Sequence, residues 1–159
     1  MTNLNLSSTN TSRKFSLLAL VIALFAFIGF IDAAYLTVKF YLGGPIPCAI
    51  FTGCDTVARS SYSAIFGIPI ALPGALYYAA IFFLAVLYLD LRREWIVRLT
   101  TSLTLLGFVI SLYLVYLQIF VLEAICLYCM VSAADSTLLF VLSLVMLRGL
   151  ENKKLKINE

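Results

Sequence analysis

Apolar residues in this chain gather into four long runs with short polar interruptions between them. A soluble amphipathic helix would instead show an apolar stripe recurring every three to four residues. A helix needs about 20 apolar residues to cross a bilayer, and the pattern predicts spans at residues 16–37, 67–89, 96–122 and 126–147. The expected fold is an all-α integral membrane protein with a single four-helix transmembrane domain over residues 15–147. Residues 1–14 and 148–159 form flanking tails, the second one basic. The longest interruption, residues 38–66, is a loop rich in glycine, proline, serine and threonine. Pro69 and Pro73 fall in the first turns of the second span, where a missing N–H costs least.

Composition turns that pattern into a firm class. The chain is 63% hydrophobic and 12% charged, where soluble domains run near 45–50% apolar and about 25% charged. It contains no histidine, so the usual general base at neutral pH and the commonest metal ligand are both absent. Chemistry must rest on cysteines, carboxylates, hydroxyls or a borrowed electron acceptor. The first run is too long for a signal-peptide core and continues past Ala34 as "YLTV", which favours a retained helix over a cleaved leader.

Basic residues set the orientation. Arg13, Lys14, Arg92, Arg93, Arg98, Arg148, Lys153, Lys154 and Lys156 fall on one side, which makes nine of the 11. Only Lys39 and Arg59 fall on the other. Both termini are therefore expected in the cytoplasm, and loop 38–66 is expected to face outward. Cys48 and Cys54 lie in that loop, and Cys126 and Cys129 open the fourth span. All four cysteines collect at one face, the oxidising face of a bacterial or archaeal cytoplasmic membrane.

The segment "CLYC" puts Cys126 and Cys129 three residues apart at a helix start, where the helix dipole favours a thiolate. Cys48 and Cys54 lie in a bendable segment with Gly43, Gly44, Pro45, Pro47 and Gly53. Two dithiols on one face allow a relay in which a thiolate of one pair attacks the disulfide of the other. Two structural disulfides pinning a loop would use the same four residues, and a Cys₄ zinc site is a further alternative. The six-residue separation of Cys48 and Cys54 fits the usual zinc spacing badly. A relay also needs an acceptor. With no haem-ligating histidine and no flavin or nicotinamide fingerprint, a membrane-dissolved quinone fits, since it takes two electrons and two protons.

These residues are similar to the vitamin K epoxide reductase (VKOR) family, specifically its prokaryotic branch. The resemblance covers about residues 16–146. It rests on the four spans, Cys48 and Cys54, and the pattern C-D-x-V-x-x-S-x-Y-S from Cys54 to Ser63. "IFGIP" at Ile65–Pro69, Gly74, Tyr77 and "CLYC" complete it. The resemblance implies a four-helix bundle with a short helix capping it between the first two spans. It implies that Cys48 exchanges with a thioredoxin-fold, DsbA-like protein. Cys54 would pair with Cys48 in one state and Cys126 in another, and Cys129 would pass electrons to ubiquinone or menaquinone. Ser60 matches a serine of the capping helix near the ring.

Two positions depart from the vertebrate pattern, where an asparagine and a tyrosine bind the substrate's oxygens. Here those places hold Ser63 and Ala133, which favours a plain quinone over an epoxide. No fused thioredoxin domain is expected after the short basic tail, so the partner is expected in trans. A DsbB-type oxidase would carry its C-x-x-C in the first outer loop. An outward reductant conduit would need cysteines at the cytoplasmic face. A disulfide-stapled scaffold without activity is the non-enzymatic rival.

Carboxylates inside spans are functional suspects, and Asp32 and Asp135 qualify. A proton route is the sharp possibility, while an interfacial Asp32 and a paired or protonated Asp135 are the favoured, plainer one. Asp55 is expected to cap the short helix, and Glu123 to be solvated in the turn before span four. Among many aromatics, Tyr116 and Phe120 are the candidates to wall a quinone ring.

Overall fold

A computed structural model of the chain describes residues 3–43, 53–60 and 62–158. Helix α1 (Asn3–Leu42) is followed by a five-residue helix α2 (Cys54–Ala58) and a two-stranded hairpin, β1 (Ala64–Ile65) and β2 (Ile68–Pro69). Then come α3 (Ala71–Leu91), α4 (Glu94–Tyr116) continued by a π-helical turn (Leu117–Val121), and α5 (Leu127–Asn158). Four segments are long and apolar enough to span: Arg13–Leu42, Ala71–Leu91, Glu94–Val121 and Leu127–Asn152. The shortest, at 21 residues, is about 31 Å long at 1.5 Å per residue, matching a hydrocarbon core of about 30 Å. The fold is the expected all-α, four-helix membrane bundle.

On α1 the buried face is mostly small residues, with Ile22 the large exception. Ala19, Ala23, Ala26 and Ala33 make the buried stripe of α1, while Leu17, Leu20, Leu24, Phe27 and Ile31 point outward. Lipid is as apolar as leucine, so helices associate through close backbone approach at small residues. Helix α1 packs on α3 and α5, and α4 packs on the same two, closing a ring. Across α4 and α5, Thr104 and Ser143 share a 2.7 Å hydrogen bond.

The element boundaries differ from the expected ones in instructive ways. Helix α1 runs on to Leu42, so Lys39 lies in its last turn rather than in the loop. Gly43 ends it, with φ +68° and its N–H on the Lys39 carbonyl at 3.1 Å, a left-handed glycine cap. The second span starts at Ala71, not at residue 67, because residues 64–69 fold back as the hairpin. Phe66 and Gly67 both take positive φ, 53° and 80°, as a two-residue hairpin turn requires. Pro69 therefore belongs to β2, at the end of the ladder opposite Ala64, where it has no N–H to lose. Pro73 does lie in the first turn of α3. The basic tail is helical to Asn158, since good helix formers such as Leu, Glu and Lys continue it, and Lys154 pairs with Glu94 of α4.

Candidate functional site

At the end of the bundle where α5 begins, Cys54 and Cys126 pack into one buried cluster with Leu36, Val57, Ala58, Leu127, Tyr128 and Cys129. Cys54 is 0% and Cys126 1% exposed. The approach depends on Gly53. A Cβ there would lie 2.7 Å from the Ile125 carbonyl oxygen and 2.8 Å from the Ile125 nitrogen. Only a residue without a side chain lets the start of α2 rest against the backbone just before Cys126. Tyr35 of α1 packs on Tyr128 within the C-x-x-C, ring centroids 5.3 Å apart.

Cys126 is the residue before α5, and its carbonyl accepts the Met130 N–H at 3.0 Å, opening the helix. Its own N–H donates to the side-chain Oε1 of buried Gln118 at 3.0 Å. The Gln118 carbonyl in turn accepts the Ala124 N–H at 3.1 Å. Gln118 belongs to the π-helical turn, and such turns commonly re-aim a side chain at functional sites. Glu123, exposed in the intervening turn, takes φ +48°.

The Cys126 thiol is pulled down to about 7. Hydrogen bonding from the Cys129 thiol is the main cause, and the backbone N–H groups of Cys129 and Tyr128 add to it against the effect of burial. These are the first N–H groups of a helix, turned on a sulfur. Cys54 is disulfide-bonded, whereas Cys126 and Cys129 are both free thiols. Cys48 lies outside the described residues.

The remaining candidates separate. Ser60 donates its hydroxyl to the Val57 carbonyl, and Ser63 to the Ser60 carbonyl, both at 2.8 Å. Their protons are engaged in the turn that closes α2. Asp55 does not cap α2. The N-cap position is Gly53, without a side-chain cap, and Asp55 pairs instead with Arg59 one turn on, at 2.9 Å. Arg59 also donates to the Gly43 carbonyl at 3.3 Å, tying α2 to the end of α1. Tyr116 and Phe120 pack against each other with rings tilted by 31° and centroids 5.0 Å apart. They are 54% and 68% exposed on the outer surface of the bundle, outside the cysteine cluster.

Below the cysteines lies a polar cluster drawn from three helices. Tyr78 donates to the Ser132 carbonyl at 2.9 Å, and its oxygen is 2.9 Å from the Ser132 hydroxyl. Gly29 lets this packing close, because a Cβ there would strike both Tyr78 and Asp135. Asp32 Oδ2, Tyr77 Oη, Asp135 Oδ2 and Ser136 Oγ are buried without a hydrogen-bond partner among the described residues. Buried polar groups are nearly always paired, so these four mark the cluster as a candidate for a functional role. Neither Gln118 nor the serines of α5 stood out in the sequence. A lone glutamine within an apolar run was the one available signal.

Four membrane-length helices that gather a dithiol and a disulfide at one end define a multi-pass membrane protein equipped for thiol–disulfide chemistry. Residues 20–144 match the model of the vitamin K epoxide reductase family, and the chain belongs to that family. It is thus a membrane oxidoreductase of the thiol–disulfide kind, from a family that works with quinones.

Proposed function

We propose that the chain is a thiol:quinone oxidoreductase that reoxidises an extracytoplasmic DsbA-like, thioredoxin-fold partner and so supports disulfide formation in exported proteins. Both termini face the cytoplasm, and the cysteines face outward. The observation that carries this is the shared burial of Cys54 and Cys126 beside Cys129, which supports transfer from a loop pair to a helix pair.

In the proposed cycle the partner's dithiol reduces a Cys48–Cys54 disulfide and leaves as its own disulfide. The Cys54 thiolate then attacks Cys126 within a Cys126–Cys129 disulfide, releasing Cys129. Cys48 attacks Cys54, which releases Cys126 and restores the loop disulfide. A thiol of low pKa leaves faster, so the hydrogen bonds on Cys126 speed that release. The inner dithiol then returns to a disulfide as it reduces ubiquinone or menaquinone to the quinol. Cys54 disulfide-bonded, with Cys126 and Cys129 free, fits the stage at which electrons have reached the inner pair. Ser60 and Ser63 border the ring in this scheme, with Tyr116 and Phe120 flanking its entry from the lipid.

The test is quinone reduction by the purified chain, supplied with a reduced DsbA-like protein and a soluble ubiquinone or menaquinone analogue. Turnover in wild type and its loss in Cys48→Ala and Cys129→Ala are expected. Wild-type chain that reduces no quinone while the partner protein is active would overturn the proposal.

A further inference from the structure

The polar cluster beneath the cysteines has no place in the electron relay. It comprises Asp32 on α1, Tyr77 and Tyr78 on α3, and Ser132, Asp135 and Ser136 on α5. Asp135 is 4% and Ser136 3% exposed, and each has an oxygen with no hydrogen-bond partner among the described residues. From α4, Gly107 provides the surface on which the phenol end of Tyr77 rests.

Charge balance defines the state of the two carboxyl groups. The sequence holds no lysine or arginine between Lys14 and Lys39, between Arg59 and Arg92, or between Arg98 and Arg148, and no histidine anywhere. No basic side chain therefore starts from the membrane stretches around the cluster. An isolated buried carboxylate costs far more than its neutral acid, so each carboxyl carries its proton there. Each is then an O–H donor in the membrane interior with an oxygen left unengaged.

Position links the acids to the cysteines. Gly29 faces Asp135 and Tyr78, and Asp32 stands three residues, about 4.5 Å of helix rise, further outward. Asp32 lies near Asp135 and near both Cys126 and Cys129. The order from the outer face inward is thiol pair, Asp32, Asp135.

Resting on the thiol:quinone activity proposed above, we propose that Asp32 and Asp135, with Tyr77 and Ser136, form a proton-transfer site between the Cys126–Cys129 pair and the quinone oxygens. When the pair is oxidised, two S–H bonds break and one S–S bond forms. The electron pair goes to the quinone, and two protons end on its two oxygens. The carboxylic acids hand protons to those oxygens and are refilled by the protons leaving sulfur, so they finish the cycle unchanged. Asp32 and Asp135 are on this view catalytic residues.

The experiment uses the full chain in lipid nanodiscs, as wild type, Asp32→Asn and Asp135→Asn. Asparagine keeps the size and polarity but cannot release a proton. Each sample is reduced with dithiothreitol, desalted and mixed with a soluble quinone analogue, with and without azide as a small diffusible acid. The expected result is at least a tenfold slower quinone step in an Asn variant, recovered severalfold by azide. A wild-type rate in both folded Asn variants, or a loss that azide does not restore, overturns the inference. If an Asn chain shows no cooperative thermal unfolding, Asp→Glu at that position replaces it. That variant must keep a rate within about threefold of wild type for the inference to stand.

A second readout needs no quinone. The reduced-minus-oxidised infrared difference spectrum of the chain alone should contain a carboxylic-acid carbonyl band that shifts in D₂O and is lost in Asp135→Asn. Absence of that band from wild type overturns the inference. A wild-type band without quinone reduction would instead sink the thiol:quinone activity while leaving acid–thiol coupling in place.

Discussion

Gln118 reaches across eight residues of chain to hold the backbone N–H of Cys126 at 3.0 Å. A buried N–H left unpaired costs about 1–3 kcal/mol, so this glutamine fixes where the fourth span begins. It also fixes how the Cys126 sulfur faces the first N–H groups of α5. Gln118→Leu keeps the apolar volume but removes the acceptor. The expected outcome is about 1–3 kcal/mol of lost stability, read by thermal unfolding in detergent, with a slower quinone step. Unchanged values for both would show that water or another group serves Cys126.

Gly53→Ala tests the approach of the two cysteines. The φ of Gly53 is −86°, which alanine adopts readily, so the substitution acts only through space. The added carbon would meet the Ile125 backbone, which cannot rotate out of the way as a side chain can. Overpacking of this kind costs about 1–3 kcal/mol. Electron transfer from the loop pair to the helix pair, followed by quenched thiol labelling, should slow at least tenfold.

Cys126 offers a titration. Its thiol ionises near 7, below the ordinary cysteine value of about 8.5. Thiolate absorbance in the ultraviolet should therefore be present at pH 8 and fade as pH falls through about 7. Because the folded value is depressed, the stabilisation it brings is complete above the unfolded value and is lost over the same fall in pH. Cys126→Ser should abolish that step. A single titration near the ordinary value would refute it.

The proposed exchange has an intermediate that can be caught. In Cys48→Ser/Cys129→Ser the two remaining cysteines are the buried neighbours Cys54 and Cys126. Mild oxidation should join them in one disulfide, identified by mass spectrometry of proteolytic fragments. Chains that stay reduced, or that link only between molecules, would contradict the relay.

The Thr104–Ser143 bond tests a magnitude. It is short, at 2.7 Å, yet hydrogen bonds between membrane helices average only about 0.6 kcal/mol. Thr104→Val should therefore cost under about 1 kcal/mol in unfolding from detergent, and leave thiol exchange untouched. A much larger loss would assign this bond a role in fixing the bundle.

Much of the fold is legible in the sequence. Run lengths and charge asymmetry suffice to find four helices because a bilayer demands about 20 apolar residues from each. "CLYC" was readable because its chemistry needs only a three-residue spacing at a helix start. The hairpin was harder, since Ile65–Pro69 is as apolar as the helix it precedes and only the positive φ of Phe66 and Gly67 separates them. Gln118 was out of reach for a different reason. A π-helical turn changes the angular position of a residue without changing composition, so nothing in "YLQIF" says that glutamine turns inward while Tyr116 and Phe120 turn out. Asp32 and Asp135 were visible as anomalies. Their meeting with Tyr77 and Tyr78 depends on how three helices pack.

The burial of Cys54 and Cys126 has one more consequence. An exposed dithiol would trade electrons with any small thiol or oxidant in the surrounding water, and each such trade would be a short circuit. With both sulfurs sealed behind Leu36, Val57, Leu127 and Tyr128, the junction between the two pairs is insulated. In the proposed relay this cap contributes low leakage: current flows between the two intended ends or does not flow.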